Sequence, residues 1–285
     1  MLYLVLAVIV SSAVAIIMRF GEKHIKNNFA MFMSNYFVCS LIAFLFMEDK
    51  RLFVPREGLA FAIGLGLFSG CLYLMSFVLM KYNISKNGVM LTSVFMKLGV
   101  LVPTLMAITV FSESPTALQI AGFVLAIAAI ALIYIEPGAA REGEKRGKTG
   151  VGMFLLLLLI VSGLTESMAN TYDKVGVSAV KDHFLLVNFL TAFTLATLFT
   201  ILKRRPVSWK DVVFGVAIGV PNYFSTRFLL LSLGELPAVV VYPVYNIGAI
   251  ILIGAAGLFI FKETLSKKKI VGYIMIIAAL LLLSL

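Results

Sequence analysis

Apolar runs long enough to cross a bilayer follow one another along this chain almost without pause. Ten can be marked, at about 2–20, 29–47, 58–80, 88–111, 115–135, 151–172, 183–202, 211–233, 236–261 and 267–285. A helix needs roughly 17–25 predominantly apolar residues to cross ~30 Å of hydrocarbon. Of the 285 residues, 61% are hydrophobic and 13% charged, against about 25% charged in soluble domains. The expected fold is all-α and integral to a membrane, with ten transmembrane helices. Loops are short, and "EPGAAREGEKRGKTG" (136–150) is the one stretch that reads as a polar linker. "AVA" at Ala13–Ala15 imitates a signal-cleavage site, but no basic residue precedes Arg19. The first run therefore reads as a retained helix.

The net charge of +10 reports orientation first. With each loop numbered by the helix it follows, odd loops carry seventeen Lys and Arg and even loops five; Lys97 and Arg227 fall inside spans. Basic residues collect on the cytoplasmic side. Odd loops are thus expected in the cytoplasm, both termini outside, and the protein in the cell membrane. Nucleic acid gains no support as a partner. Cys39 and Cys71, within apolar helices, read as small packing residues. His24 and His183 stand at helix ends without metal-ligand spacing and read as interfacial. No nucleophile triad, phosphate loop, zinc signature or ATP-binding motif is present. Neither an enzyme nor a cofactor is expected, and a monomer suffices.

The chain repeats itself. "FSESPTALQIAGF" (111–123) returns as "FKETLSKKKIVGY" (261–273), so Phe111, Glu113, Ile120 and Gly122 align with Phe261, Glu263, Ile270 and Gly272. Asn35 aligns with Asn188, each followed by an aromatic, and Gly64 with Gly215. The helices pair one to one as two five-helix repeats, 1–135 and 151–285. Because five is odd, the second repeat enters the membrane inverted, an architecture common among transporters with a site near the midplane.

Two five-helix repeats, each with Phe-x-Glu before its last span and Gly nine residues on, resemble the EamA-type branch of the drug/metabolite transporter superfamily. The resemblance implies a ten-helix basket that moves small metabolites, often amino acids, outward. It also implies cytoplasmic termini, against the charge count. The Trp common in the family's first and sixth helices is replaced here by Ser11-Ser12 and Ser162-Gly163. The motif glutamates read as structural, lying just before the caps of the fifth and tenth helices, where a carboxylate favours the positive helix end.

Polar residues inside the spans carry the function. Lys97 is too deep for its stem to reach the interface, and lipid would cost it about 2.5–3.5 kcal/mol or more. It must face a cavity or a buried partner, and Ser93 and Thr104 share its face. In the sixth helix Ser162, Glu166, Asn170 and Asp173 form one stripe, with Glu166 the deep carboxylate and a candidate for proton coupling. Arg227 in the eighth follows Tyr223 by one turn, beyond Pro221 and Asn222, and could hold a carboxylate or phosphate. In the ninth, Tyr242, Tyr245 and Asn246 flank Pro243. Tyr73, Ser76, Asn35 and Asn188 are lesser candidates, and Gly66-xxx-Gly70 and Gly215-xxx-Gly219 read as close helix contacts. Lys97 and Arg227 outnumber Glu166, which favours an anionic group on the substrate. The expected function is a secondary transporter, an exporter of small carboxylate-bearing metabolites such as amino acids. Phosphorylated or nucleotide-like solutes and a lipid head-group flippase are the alternatives, with an intramembrane enzyme behind them.

Overall fold

A computed structural model describes residues 1–52, 54–109, 115–134, 148–236, 238–264, 266–283 and 285. Among the described residues all regular structure is helical: α1 (Leu2–Gly21), α2 (Asn28–Phe46), α3 (Leu59–Lys97), α4 (Leu101–Thr109), α5 (Ala117–Tyr134), α6 (Lys148–Val175), α7 (Lys181–Leu202), α8 (Trp209–Glu235), α9 (Ala238–Phe259) and α10 (Lys267–Leu283). Among the described residues six stretches are long and apolar enough to cross a membrane, and Ala117–Ile130, Val244–Phe259 and Ile270–Leu283 are shorter apolar helices. Large apolar side chains such as Phe37, Phe68, Ile160 and Ile274 lie exposed on the outside, where lipid rather than water is the solvent. Phe111, Glu113 and the linker up to residue 147 lie outside the described residues.

One span boundary differs from the sequence reading. The break expected between 80 and 88 is helical up to Asn87, so Lys81 and Lys86 are in α3 rather than in a loop. Lys81 is buried and its ammonium donates to Met18 O at 3.4 Å. Asn83 donates to Leu79 O and, on α6, to Phe154 O. With its polar side chains satisfied by protein, the segment has no need to leave the helix. The interruption falls at Gly88 instead, with φ 81° and ψ 169°, a conformation essentially reserved for glycine. Without it, the 39 residues of α3 would form a rod of ~58 Å, about twice the hydrocarbon thickness.

The helix section that restarts after Gly88 has free N–H groups, and Glu263 meets them. Its carboxylate accepts from Val89 N (2.8 Å) and Met90 N (3.1 Å), while Arg19 Nε approaches to 3.3 Å. Glu263 is therefore structural, but the helix it caps is in the other half of the chain, not the adjacent α10. A Cβ on Gly88 would come within 2.7 Å of that carboxylate.

The helix pairs have a regular pattern. α1 packs on α8 and α9, α2 on α7 and α8, α3 on α6 and α7, α4 on α6, and α5 on α10. Advancing each helix five places converts α1·α8 into α6·α3 and α2·α8 into α7·α3, and returns α2·α7 and α5·α10 to themselves. Glycines set the closest approaches. A Cβ on Gly70 would lie 2.5 Å from Asn188 O on α7, and one on Gly219 would lie 2.7 Å from Asn35 O on α2. Cys39 is buried beside Gly219 O, but Cys71 is exposed, so only the first packs as expected. His183 is buried, with Nε2 3.4 Å from Arg51 O, rather than interfacial.

Candidate substrate site

Lys97 ends α3, where the helix tightens into a 3-10 turn, Leu98–Val100. It is 6% exposed. Its ammonium lies 3.9 Å from the centroid of the Tyr245 ring and 3.5 Å from Ser11 Oγ. Tyr245 donates its hydroxyl to Ser11 Oγ (3.0 Å) and meets Ser225 Oγ at the same distance. These four residues come from α3, α9, α1 and α8, with Ser11 at the middle of α1. An ammonium facing an aromatic ring in a dry setting gains about 2 kcal/mol. Among the described residues no ion pair joins Lys97 to a carboxylate.

α6 is pressed against this turn. A Cβ on Gly99 would lie 2.8 Å from Gly163 N, and Ser162 donates its hydroxyl to Met96 O at 3.0 Å. This contact brings the half-buried Glu166, one turn further along α6, into the field of Lys97. Tyr73, on the earlier part of α3, stands near Thr226, Glu166 and Tyr245.

The other candidates form satellites of this centre. Tyr242 donates to Asn170 Oδ1 at 2.7 Å, linking α9 to α6. Arg227 donates to Tyr223 Oη at 3.5 Å and lies 5.3 Å from the Phe46 ring. Asn246 is 2% exposed and its Oδ1 has no hydrogen-bond partner among the described residues. Ser93 is turned away, donating to Met90 O of its own helix at 2.8 Å. Asn35 and Asn188 are both buried at the α2 and α8 and the α3 and α7 contacts.

The sequence model of the EamA-like transporter family matches residues 1–135. The family is one of multi-pass membrane transporters, and the bundle of apolar helices fits it. An uncharacterised protein of Haemophilus influenzae is 24% identical over 207 residues, covering 72% of this chain and 69% of its own. A solved crystal structure superposes with a TM-score of 0.64 at 13% identity, over 99% of this chain and 94% of that one. At that identity the likeness is one of fold. The structure adds the set of hydroxyls around Lys97, which sequence reasoning passed over. Ser11 carried a signal, being polar in the middle of an apolar run and aligned with Ser162. Ser225 and Thr226 carried a weaker one, as neighbours of Arg227 in "PNYFSTR".

Proposed function

We propose that this protein is a secondary transporter in the cell membrane, an exporter of small carboxylate-bearing metabolites with amino acids foremost. The observation that carries this reading is the buried Lys97 ammonium, held by Ser11 and the Tyr245 ring without a carboxylate at ion-pair distance among the described residues. A lysine so placed has donor capacity left for a substrate carboxylate, and a charge-assisted bond of that kind contributes about 1.5–3 kcal/mol. Glu166 supplies the opposite sign nearby, suited to a substrate ammonium or to a coupling proton. Asn246 Oδ1, without a partner among the described residues, adds an acceptor in α9. A cation with nearby acceptors matches an α-amino acid better than a simple organic acid.

The repeat reading supplies the motion. The principal helix pairings (α1·α8 with α3·α6, α2·α8 with α3·α7, and α2·α7 and α5·α10 each with itself) are kept when the two halves, 1–135 and 151–285, are exchanged. Lys97 and Ser11 from one half meet Tyr245 and Ser225 from the other. A substrate bound there would be exposed to each side in turn as the halves rock against each other.

Thermal unfolding of the purified protein against amino acids, organic acids and sugar phosphates tests the class. Stabilisation by amino acids is expected; stabilisation by sugar phosphates alone would overturn it. Coupling is tested in proteoliposomes with Glu166→Gln, which should abolish proton-driven transport yet keep substrate exchange. Equal loss of both would make Glu166 a binding or structural group instead.

A further inference from the structure

Six cations crowd the corner where α1 turns into α2 and α7 into α8: Lys23, Lys26, Lys203, Arg204, Arg205 and Lys210, all exposed. The two turns are fastened to each other. Asp211 Oδ1 accepts from Lys26 N (2.8 Å) and Asn27 N (3.3 Å), and Oδ2 accepts from Ser208 N (2.9 Å). Asn27 Nδ2 donates to Arg205 O at 3.3 Å. Asp211 is completely buried by these contacts. Glu22, the other carboxylate of the two turns, is paired with Arg19. The acids here are thus already engaged, and among the described residues none of the six cations has an ion-pair partner.

The rim of the corner is apolar. Leu202 and Val207 are exposed, and Trp209, the first residue of α8, is 70% exposed. Tryptophan concentrates where hydrocarbon gives way to headgroups. Lys203 lies over the Phe29 ring at 4.5 Å, which fixes one cation between the two turns.

We propose that this corner binds the phosphate of an anionic phospholipid, whose acyl chains run along the apolar flank of α7 and α8. Charge complementarity selects the lipid class. A zwitterionic headgroup brings an ammonium that six cations repel and that no free carboxylate at the corner receives. An anionic headgroup brings only acceptors, which lysine and arginine donors match.

The test uses the purified full-length protein, offered phosphatidylglycerol and phosphatidylcholine in equal amounts, with retained lipid read by native mass spectrometry. Phosphatidylglycerol should be retained by about tenfold or more. The preference should fall to near parity in Lys203→Gln/Arg204→Gln/Arg205→Gln, and part of the way in each of the single variants, which serve if the triple does not fold. Lys262→Gln/Lys267→Gln/Lys268→Gln, which removes the same charge elsewhere, should leave the preference unchanged. Equal loss in both triples would mean diffuse surface charge and overturn the site, as would equal retention of the two lipids by the unaltered protein. Displacement of the lipid by inorganic phosphate at matched concentration would reassign the corner to free phosphate and overturn the lipid reading.

Discussion

Replacing Lys97 by methionine keeps the stem length and apolarity of the side chain while removing its charge. The structure separates two outcomes by magnitude. A broken buried ion pair costs about 3–5 kcal/mol, because the abandoned partner stays charged in a dry setting. Lys97 has no such partner at close range among the described residues; it gives up a 3.5 Å bond to Ser11 and the face of Tyr245. The ring contact is worth about 2 kcal/mol, and the variant no longer has to bury an ammonium, which offsets part of that. The net loss of stability should therefore stay under ~2 kcal/mol, and the variant should insert and purify normally. Binding should suffer more. Losing a charge-assisted hydrogen bond to a substrate carboxylate weakens affinity by roughly 10- to 150-fold. Calorimetric titration of a ligand found by thermal screening, with unfolding measured on the same samples, reads both quantities. Wild-type affinity in a well-folded variant would refute the assignment of Lys97 to the site. A variant that unfolds but is rescued by Glu166→Gln would show that Lys97 is half of a structural pair.

Other residues give expectations of comparable sharpness. Glu263→Gln keeps an acceptor for Val89 N or Met90 N but loses the Arg19 contact, so thermal unfolding should show a loss of about 1–3 kcal/mol; no change would mean the cap is not formed. Gly70→Ala and Gly219→Ala each drive a Cβ against backbone and should destabilise by similar amounts, about 1–3 kcal/mol, whereas Gly64→Ala meets nothing within 4 Å among the described residues and should be neutral in the same assay. With Cys71 replaced by serine, a cysteine at Val207 should resist an impermeant thiol reagent in intact cells, while one at Arg56 should react; the reverse labelling would invert the topology inferred from the charge bias.

The helical membrane fold was legible because hydrophobic length is a one-dimensional property that any run of residues displays. Residues of the repeat that face a close contact, such as Gly70 and Gly219, were legible for the same local reason, since only glycine fits where backbones touch. The end of the third span was not. The "KYNISKN" segment looks like a polar loop, and only the carbonyls of Leu79 and Phe154 reveal that Asn83 is satisfied inside the bundle. Lys97 stood out as a charge in an apolar run, but its partners could not be read. Ser11, Ser225 and Tyr245 are far apart in the chain, and three-dimensional packing alone brings them together. Glu263 was correctly read as structural and assigned to the wrong helix, because proximity in sequence favoured α10 over a helix that begins 174 residues earlier.

That misassigned glutamate has a bearing on whether either half of the chain could stand alone. Val89 and Met90 begin a helix in the first half, yet their N–H groups are satisfied by a side chain of the second. Residues 1–135 alone would leave those donors, and the Gly88 bend beside them, without the Glu263 carboxylate that holds them. Cutting the present gene within the linker should recreate that condition: neither product should accumulate alone, and co-expression of the two should restore both.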